Sequence, residues 1–224
     1  MNSTMKKGFT LAEVLITLAI IGVVAALTIP SVIIKNQKQE LYTRFIRLYS
    51  DLSRLLPVMI NERGSTSNWT QEDCESIASN YMKASKICEA GRDCFAAIYS
   101  LTPNGNHDNF PTRAYNNLPS FELSTGAVIN IKFQRELTNT ETPVGCYIII
   151  DTNGKKGPNA AGRDYFEFYF VNNKLSVNMS GNNDILKKRS TENLEKYCYG
   201  TRASLVDSLQ NCAMLLLREK KMDY

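Results

Sequence analysis

One carboxylate, that of Glu13, lies inside an otherwise uncharged stretch of 21 residues that runs from Phe9 to Ile29. At a rise of about 1.5 Å per residue, this stretch forms a helix of roughly 30 Å, which matches the hydrocarbon core of a bilayer. Placing a carboxylate in the hydrocarbon core costs several kcal/mol of free energy unless the group is paired or neutralised, so the presence of Glu13 there indicates a functional role. Cleavage after Gly8 would supply a partner, because it creates an α-amino group at Phe9.

The residues before the apolar stretch favour such a cleavage. Met1 to Gly8 is a short polar leader that carries Lys6 and Lys7. Secretory signals place a small-residue cleavage site after the apolar region, whereas Gly8 comes before it, so cleavage would leave the apolar helix in the mature protein. The run Gly8-Phe9-Thr10-Leu11-Ala12-Glu13 resembles the N-terminal motif of type IV pilins and type II secretion pseudopilins.

The resemblance implies a processing pathway and an assembly role. A prepilin peptidase would cut after Gly8 and methylate the new amine of Phe9. In a filament, Glu13 would pair with the amine of a neighbouring subunit, and Pro30 takes the place of the family's proline near the end of the membrane segment. The alternative for Glu13 is a helix-end carboxylate that reaches the lipid headgroups. The implied partners are the peptidase/methyltransferase, other pilin or pseudopilin subunits, an inner-membrane assembly platform and the lipid bilayer.

Six cysteines follow the apolar stretch, and their even number favours disulfides in an oxidising compartment. They are Cys74, Cys88, Cys94, Cys146, Cys198 and Cys212. Six cysteines allow 15 pairings, and proximity in sequence favours Cys198 with Cys212 and a bond between two of the first three. Zinc is the alternative, but the chain has no Cys-x-x-Cys motif and His107 is its only histidine.

Charge alone leaves the orientation in the membrane open, because basic residues flank both ends of the apolar stretch. The cysteines and the family resemblance decide it. The chain is expected to cross the cytoplasmic (inner) membrane once, with its head on the extracytoplasmic side. The net charge of +4 is slight and no basic patch is present, so no specific binding of nucleic acid is expected.

Asp151, Asn153 and Asp164 lie in a loop rich in glycine and asparagine, where their oxygens could bind a hard cation such as Ca²⁺. The loop departs from an EF-hand, because it lacks a third acidic position and a closing Glu and contains Lys155 and Lys156. A structural turn loop is the favoured interpretation. Ca²⁺ is the one candidate cofactor.

His107 and Asp108 are the other pair that could do chemistry. They lie in a stretch over 103–120 that is predicted to be an irregular loop, and no Ser or Cys nucleophile motif accompanies them, so a solvated pair is expected. No cofactor fingerprint is present either. The chain is therefore not expected to be an enzyme.

A long helix must position the N-terminal residues. Beyond Pro30, which is expected to bend or locally melt the helix, apolar residues recur at spacings of three and four, predicting an apolar stripe. The stripe comprises Leu41, Phe45, Leu48, Leu52, Leu55 or Leu56, and Met59. The run 64–68 is expected to end the helix.

A β region is predicted between residues 121 and 178, from alternating or continuous apolar runs. The predicted strands are 127–133, 146–150, 165–171 and 174–178, with Asn172-Asn173 as the last hairpin turn. The expected fold class is α+β: a long N-terminal helix, half transmembrane and half amphipathic, packed on a small antiparallel sheet of about four strands, as in pilins.

Shorter helices are predicted over 75–82 and 94–101. A C-terminal pair follows, the first capped by Ser190 or Thr191. The second has an apolar face of Leu205, Leu209, Cys212, Ala213 and Leu216. The predicted organisation is therefore a leader over 1–8, a transmembrane helix over 9–29, an amphipathic extension over 30–63 and a head over 64–224.

Together these features predict a structural subunit, a prepilin or pseudopilin, that is incorporated through its N-terminal helix into a type IV pilus-like or type II secretion filament. The alternative is a membrane-anchored or filament-tip (minor pilin) module for adhesion or ligand binding. That module would use the loops at 103–120 and 151–164.

Overall fold

The computed structural model describes residues 8–88, 94–96, 99–100, 107–108, 118–134, 144–157, 159–200 and 204–224. The leader before Gly8 and most of the predicted 103–120 loop lie outside the described residues. The chain divides into two compact units, Met1–Glu40 and Leu41–Tyr224.

Helix α1 runs from Leu11 to Arg63 and is long and apolar enough to cross a membrane. In the first unit its large apolar side chains are exposed, with Leu11 at 78% and Leu27 at 74%. Of the two alternatives predicted for Pro30, a bend or local melting of the helix, local melting is wrong, because α1 is continuous through that residue. The loss of one backbone donor is tolerated there without a break in the helix.

In the second unit, the predicted apolar stripe of α1 packs on a β-sheet. The buried side chains are Leu41, Phe45, Leu48, Leu52, Leu55, Leu56 and Met59. The ring of Phe45 lies 4.6 Å from that of Phe166 and 5.9 Å from that of Phe168. The helix ends at Arg63, before Gly64, whose φ of 78° favours glycine. The α+β fold class is confirmed.

The sheet has six antiparallel strands. In their order across the sheet they are β1 (Ala84–Cys88), β4 (Ser120–Leu123), β5 (Val128–Gln134), β6 (Gly145–Asp151), β7 (Tyr165–Val171) and β8 (Lys174–Ser176). The prediction of about four strands omitted β1 and β4. β4 is only four residues long, and β1 is a largely exposed edge strand that contains Ser85 and Lys86 and has no apolar alternation.

The predicted Asn172-Asn173 hairpin is confirmed. Both residues have positive φ, 51° and 58°, as a type I′ turn requires. Two hydrogen bonds join this hairpin to the single 3₁₀ turn Thr66–Asn68. The backbone N–H of Thr66 donates to Asn173 Oδ1 at 2.8 Å, and the backbone N–H of Asn173 donates to Thr66 Oγ1 at 3.0 Å.

The region after α1 differs from its prediction. Helix α2 spans Gln71–Ser76, earlier than expected, because Thr70 and Asp73 cap it reciprocally, and it continues into a π-helical turn at Ile77–Tyr81. The helix predicted over 94–101 is wrong. Tyr99–Ser100 forms strand β2, which pairs with β3, His107–Asp108, so the predicted irregular loop also contains a strand. So short a segment has little helix stability of its own, and pairing with a neighbouring strand therefore decides its structure.

Three helices end the chain: α3 (Asp184–Lys187), α4 (Thr191–Tyr199) and α5 (Leu205–Glu219). Ser190 caps α4 by accepting from the backbone N–H of Asn193 at 3.2 Å, which confirms one of the two predicted caps. The predicted face of α5 is buried at Leu209, Cys212, Ala213 and Leu216.

All six cysteines pair. Cys198–Cys212 joins α4 to α5, and Cys88–Cys94 is a bond between two of the first three cysteines; both agree with the pairings that sequence proximity favours. Cys74–Cys146 joins α2 to β6 across a separation of 72 residues. These pairings leave no thiolate for zinc.

Candidate processing and assembly site

The predicted cleavage position lies just ahead of α1. Gly8 and Phe9 are exposed and precede the first helical residue, Leu11. A Cβ added at Gly8 would meet no atom of the described chain within 4 Å. Packing against the described part of the chain therefore imposes no requirement for glycine at this position.

Glu13 takes part in a capping box that opens α1. The backbone N–H and the hydroxyl of Thr10 both donate to Glu13 Oε2, each at 2.8 Å, and the backbone N–H of Glu13 donates to Thr10 Oγ1 at 3.3 Å. The sequence analysis missed this role of Thr10, although the pattern Thr-x-x-Glu before an apolar run is its signature. Both hydrogen bonds from Thr10 to the Glu13 carboxylate go to Oε2.

The three residues of the predicted cation site come together at one end of the sheet. Asp151 ends β6 and Asp164 immediately precedes β7, and both are fully buried. The backbone N–H of Thr152 donates to the carbonyl of Asp164 at 2.7 Å. Asp151 Oδ1 accepts from the backbone N–H of Asn153 at 3.1 Å, which is an Asx turn.

The carboxyl group of Asp164 has a pKa well above its ordinary value. Burial raises its pKa to about 8, and the negative charge of Asp151 adds to the effect, although hydrogen bonds from the Ala160 backbone and the Asn153 side chain act in the opposite direction. Among the described residues no three His, Cys, Asp or Glu side chains form a group that could hold a metal. The loop thus brings two buried carboxyl groups together with the side chain of Asn153.

A further carboxyl, that of the half-buried Glu167, lies on β7 beside Tyr169, whose hydroxyl donates to it. Burial raises the pKa of Glu167, and the hydrogen bond from Tyr169 opposes that shift. The charge of Glu167 also adds to the burial that raises the pKa of Tyr147. The surroundings of Glu167 in the sheet therefore disfavour the charged form of its carboxyl group.

We expect Glu167→Gln to raise the melting temperature at neutral pH and to flatten its pH dependence. In the wild type, the folded state holds the proton of Glu167 to a higher pH than the unfolded state. Its stabilising contribution is complete below the ordinary pKa of 4.5 and is lost as the pH rises through the folded-state pKa. Thermal unfolding of the full chain in detergent at pH 5 and pH 8 measures the difference. The exposed Glu72→Gln is the control, and a pH dependence equal to that of the wild type in Glu167→Gln would contradict the assignment.

Together, an exposed apolar helix that carries one acid near its start and a six-stranded antiparallel sheet define a pilin-like α+β protein. Residues 3–29 match the family model described as the prokaryotic N-terminal methylation motif, which is the signature of type IV pilins and pseudopilins. The matched range contains Gly8, Phe9 and Glu13. No curated protein and no solved structure matches the chain.

Proposed function

We propose that the chain is a prepilin or pseudopilin that is cut after Gly8, methylated at Phe9 and incorporated through its N-terminal helix into a filament of the type IV pilus or type II secretion class. The observation that carries this proposal is the methylation motif over residues 3–29, placed immediately at the start of an exposed apolar helix. A prepilin peptidase/methyltransferase and the lipid bilayer are then its first partners.

Assembly follows from the electrostatics of the cleaved end. Peptide-bond hydrolysis leaves a cationic amine on Phe9, and the Glu13 carboxylate of another subunit offers it an anionic partner in a medium of low dielectric constant. The contact joins two different surfaces, so it repeats from subunit to subunit and gives an open filament. An inner-membrane assembly platform would deliver each subunit to this contact.

The pairing of all six cysteines supports an extracytoplasmic head, because disulfides persist in oxidising compartments. The leader with Lys6 and Lys7 then stays on the cytoplasmic side, as the positive-inside rule favours. In this arrangement the subunit spans the inner membrane once before assembly.

We expect Gly8→Val to leave the leader attached, because the β-branched side chain must enter a peptidase site that would otherwise accept glycine. Intact mass and N-terminal sequencing of the protein extracted from its native membrane measure this. The wild type should begin at N-methylated Phe9, and Gly8→Val at Met1 or Asn2.

Gly22→Val is the matched control, since it introduces the same side chain at another exposed glycine, inside the apolar stretch, without a contact within 4 Å. Normal processing of Gly8→Val would contradict the cleavage site. A processed subunit that is present in purified filaments only in trace amounts would instead indicate the tip or adhesion role.

A further inference from the structure

Four basic side chains that are far apart in the sequence lie around one cavity of the second unit. The cavity has a volume of about 310 Å³ and lies beside the turn between β4 and β5. Its basic residues are Arg44 on α1, Lys86 on β1, and Lys155 and Lys156 in the loop between β6 and β7. Glu122 on β4 is the only acidic residue among the described residues of the lining. The sequence shows no basic patch because these residues come from three separate segments.

Contacts between backbone segments fix the walls of this cavity. Gly126 in the β4–β5 turn and Gly154 in the β6–β7 loop both line it and have positive φ, 80° and 64°. A Cβ added at Gly154 would lie 2.6 Å from the carbonyl oxygen of Gly126, so glycine is needed for the two segments to approach so closely. The guanidinium of Arg44 donates to the carbonyl of Thr152 at 3.2 Å, which joins α1 to the same loop.

The positive charges around the cavity exceed what the described chain neutralises. Lys86 lies directly opposite Glu122 in the register of β1 and β4, so one of the four positive charges has an acidic neighbour. Within the described residues, none of the three lysines of the lining forms an ion pair. Like charges around one cavity repel each other, and a bound anion relieves that repulsion.

We propose that this cavity binds a phosphate group, carried either by the headgroup of an anionic phospholipid or by a soluble phosphate ester. An ammonium group offers three N–H donors with a full charge, and hydrogen bonds of this kind to phosphate oxygens are among the strong ones. A phospholipid is an available source, because the same chain contains the apolar stretch that ends at Ile29, fifteen residues before Arg44.

The lining favours an isolated phosphate group over a nucleic-acid strand. Proteins that bind single strands combine a basic groove with aromatic side chains on which the bases stack. No aromatic side chain occurs among the described residues that line this cavity. The site therefore recognises the charge and the oxygens of the phosphate and offers no surface for a base.

Isothermal titration calorimetry of the full-length protein in a neutral detergent tests the proposal with two probes, glycerol 3-phosphate and a short-chain phosphatidylglycerol. We expect one site per chain, and weaker binding of the phosphatidylcholine of equal chain length, whose headgroup carries its own cation. Binding of the lipid alone would assign the site to a headgroup, and binding of glycerol 3-phosphate alone would assign it to a soluble ester. No binding of either probe would overturn the site.

Lys155→Gln/Lys156→Gln is the decisive variant, because it removes two exposed charges without changing the core. It should weaken binding of the probe by about tenfold or more, and Lys86→Gln should weaken the same probe from a different strand. The matched control, Lys187→Gln/Lys188→Gln, removes two adjacent exposed lysines elsewhere and should bind like the wild type. An equal loss in this control, or undiminished binding in the decisive variant, would overturn the site. So would tighter binding of a single-stranded oligonucleotide that the decisive variant abolishes.

Discussion

Glu13→Gln is expected to reduce incorporation of the subunit into filaments by at least about 100-fold while the protein remains in the membrane. Removing one partner of a buried charge pair costs about 3–5 kcal/mol, because the other charge is left uncompensated, and each 1.4 kcal/mol corresponds to a tenfold change. The charge left behind is the cationic amine that cleavage creates on Phe9 of the neighbouring subunit. The loss should therefore appear at assembly and not at insertion.

Glu13→Gln tests the charge more specifically than Glu13→Val does, because Glu13 is also part of the capping box. A Gln at the third position of the helix can still accept from Thr10, as Glu13 does at 2.8 Å, so it keeps the N-terminal cap and removes only the charge. Glu13→Val removes both and should also favour the membrane-inserted state, since an apolar side chain replaces a carboxylate in the helix. The two variants thus separate helix capping from pairing between subunits.

The measurement is the ratio of subunit in sheared, purified filaments to subunit in the membrane fraction. Glu40→Gln removes an exposed carboxylate from the same helix beyond the apolar stretch and should assemble like the wild type. If Glu13→Gln assembles as efficiently as Glu40→Gln, the charge pair does not drive assembly of this protein.

Much of the fold could be predicted because its signals are local. The apolar stripe from Leu41 to Met59 follows from helical spacing, and the Asn172-Asn173 hairpin follows from two residues that tolerate positive φ. The Thr10 and Glu13 capping box was equally local and could have been found. The processing motif is the strongest case, since it lies within a few adjacent residues.

What could not be predicted depends on contacts between distant segments. β1 is a strand because it pairs with β4, at residues more than thirty positions away, and its own sequence has no strand alternation. The helix expected over 94–101 is not formed, because Tyr99–Ser100 pairs as a strand with His107–Asp108. Likewise, Gly162 in the loop between β6 and β7 lies against Cys212 and its carbonyl accepts from the Tyr224 hydroxyl, contacts that no spacing within the loop reveals.

The number of residues between the paired cysteines sets the expected effects of the three disulfides. Replacing both cysteines of Cys74–Cys146 by Ala should lower the free energy of unfolding by about 4 kcal/mol, against about 3 kcal/mol for Cys198–Cys212 and about 2 kcal/mol for Cys88–Cys94, from the entropy of closing loops of different length. The sequence separations are 72, 14 and 6 residues. Denaturant unfolding of the three double variants in detergent, under identical oxidising conditions, measures the order.

The order matters more than the individual values, because native contacts can offset part of each loss. Helix α2 would stay attached to β5 without the Cys74–Cys146 bond, since the Gln71 side chain donates to the Ile131 carbonyl at 3.0 Å and accepts from the Phe133 N–H at 2.7 Å. The native state of that variant should therefore keep its fold, and the loss should arise from greater freedom of the unfolded chain. Equal losses for all three pairs would contradict loop entropy as the cause and assign the stabilisation to local packing around each bond.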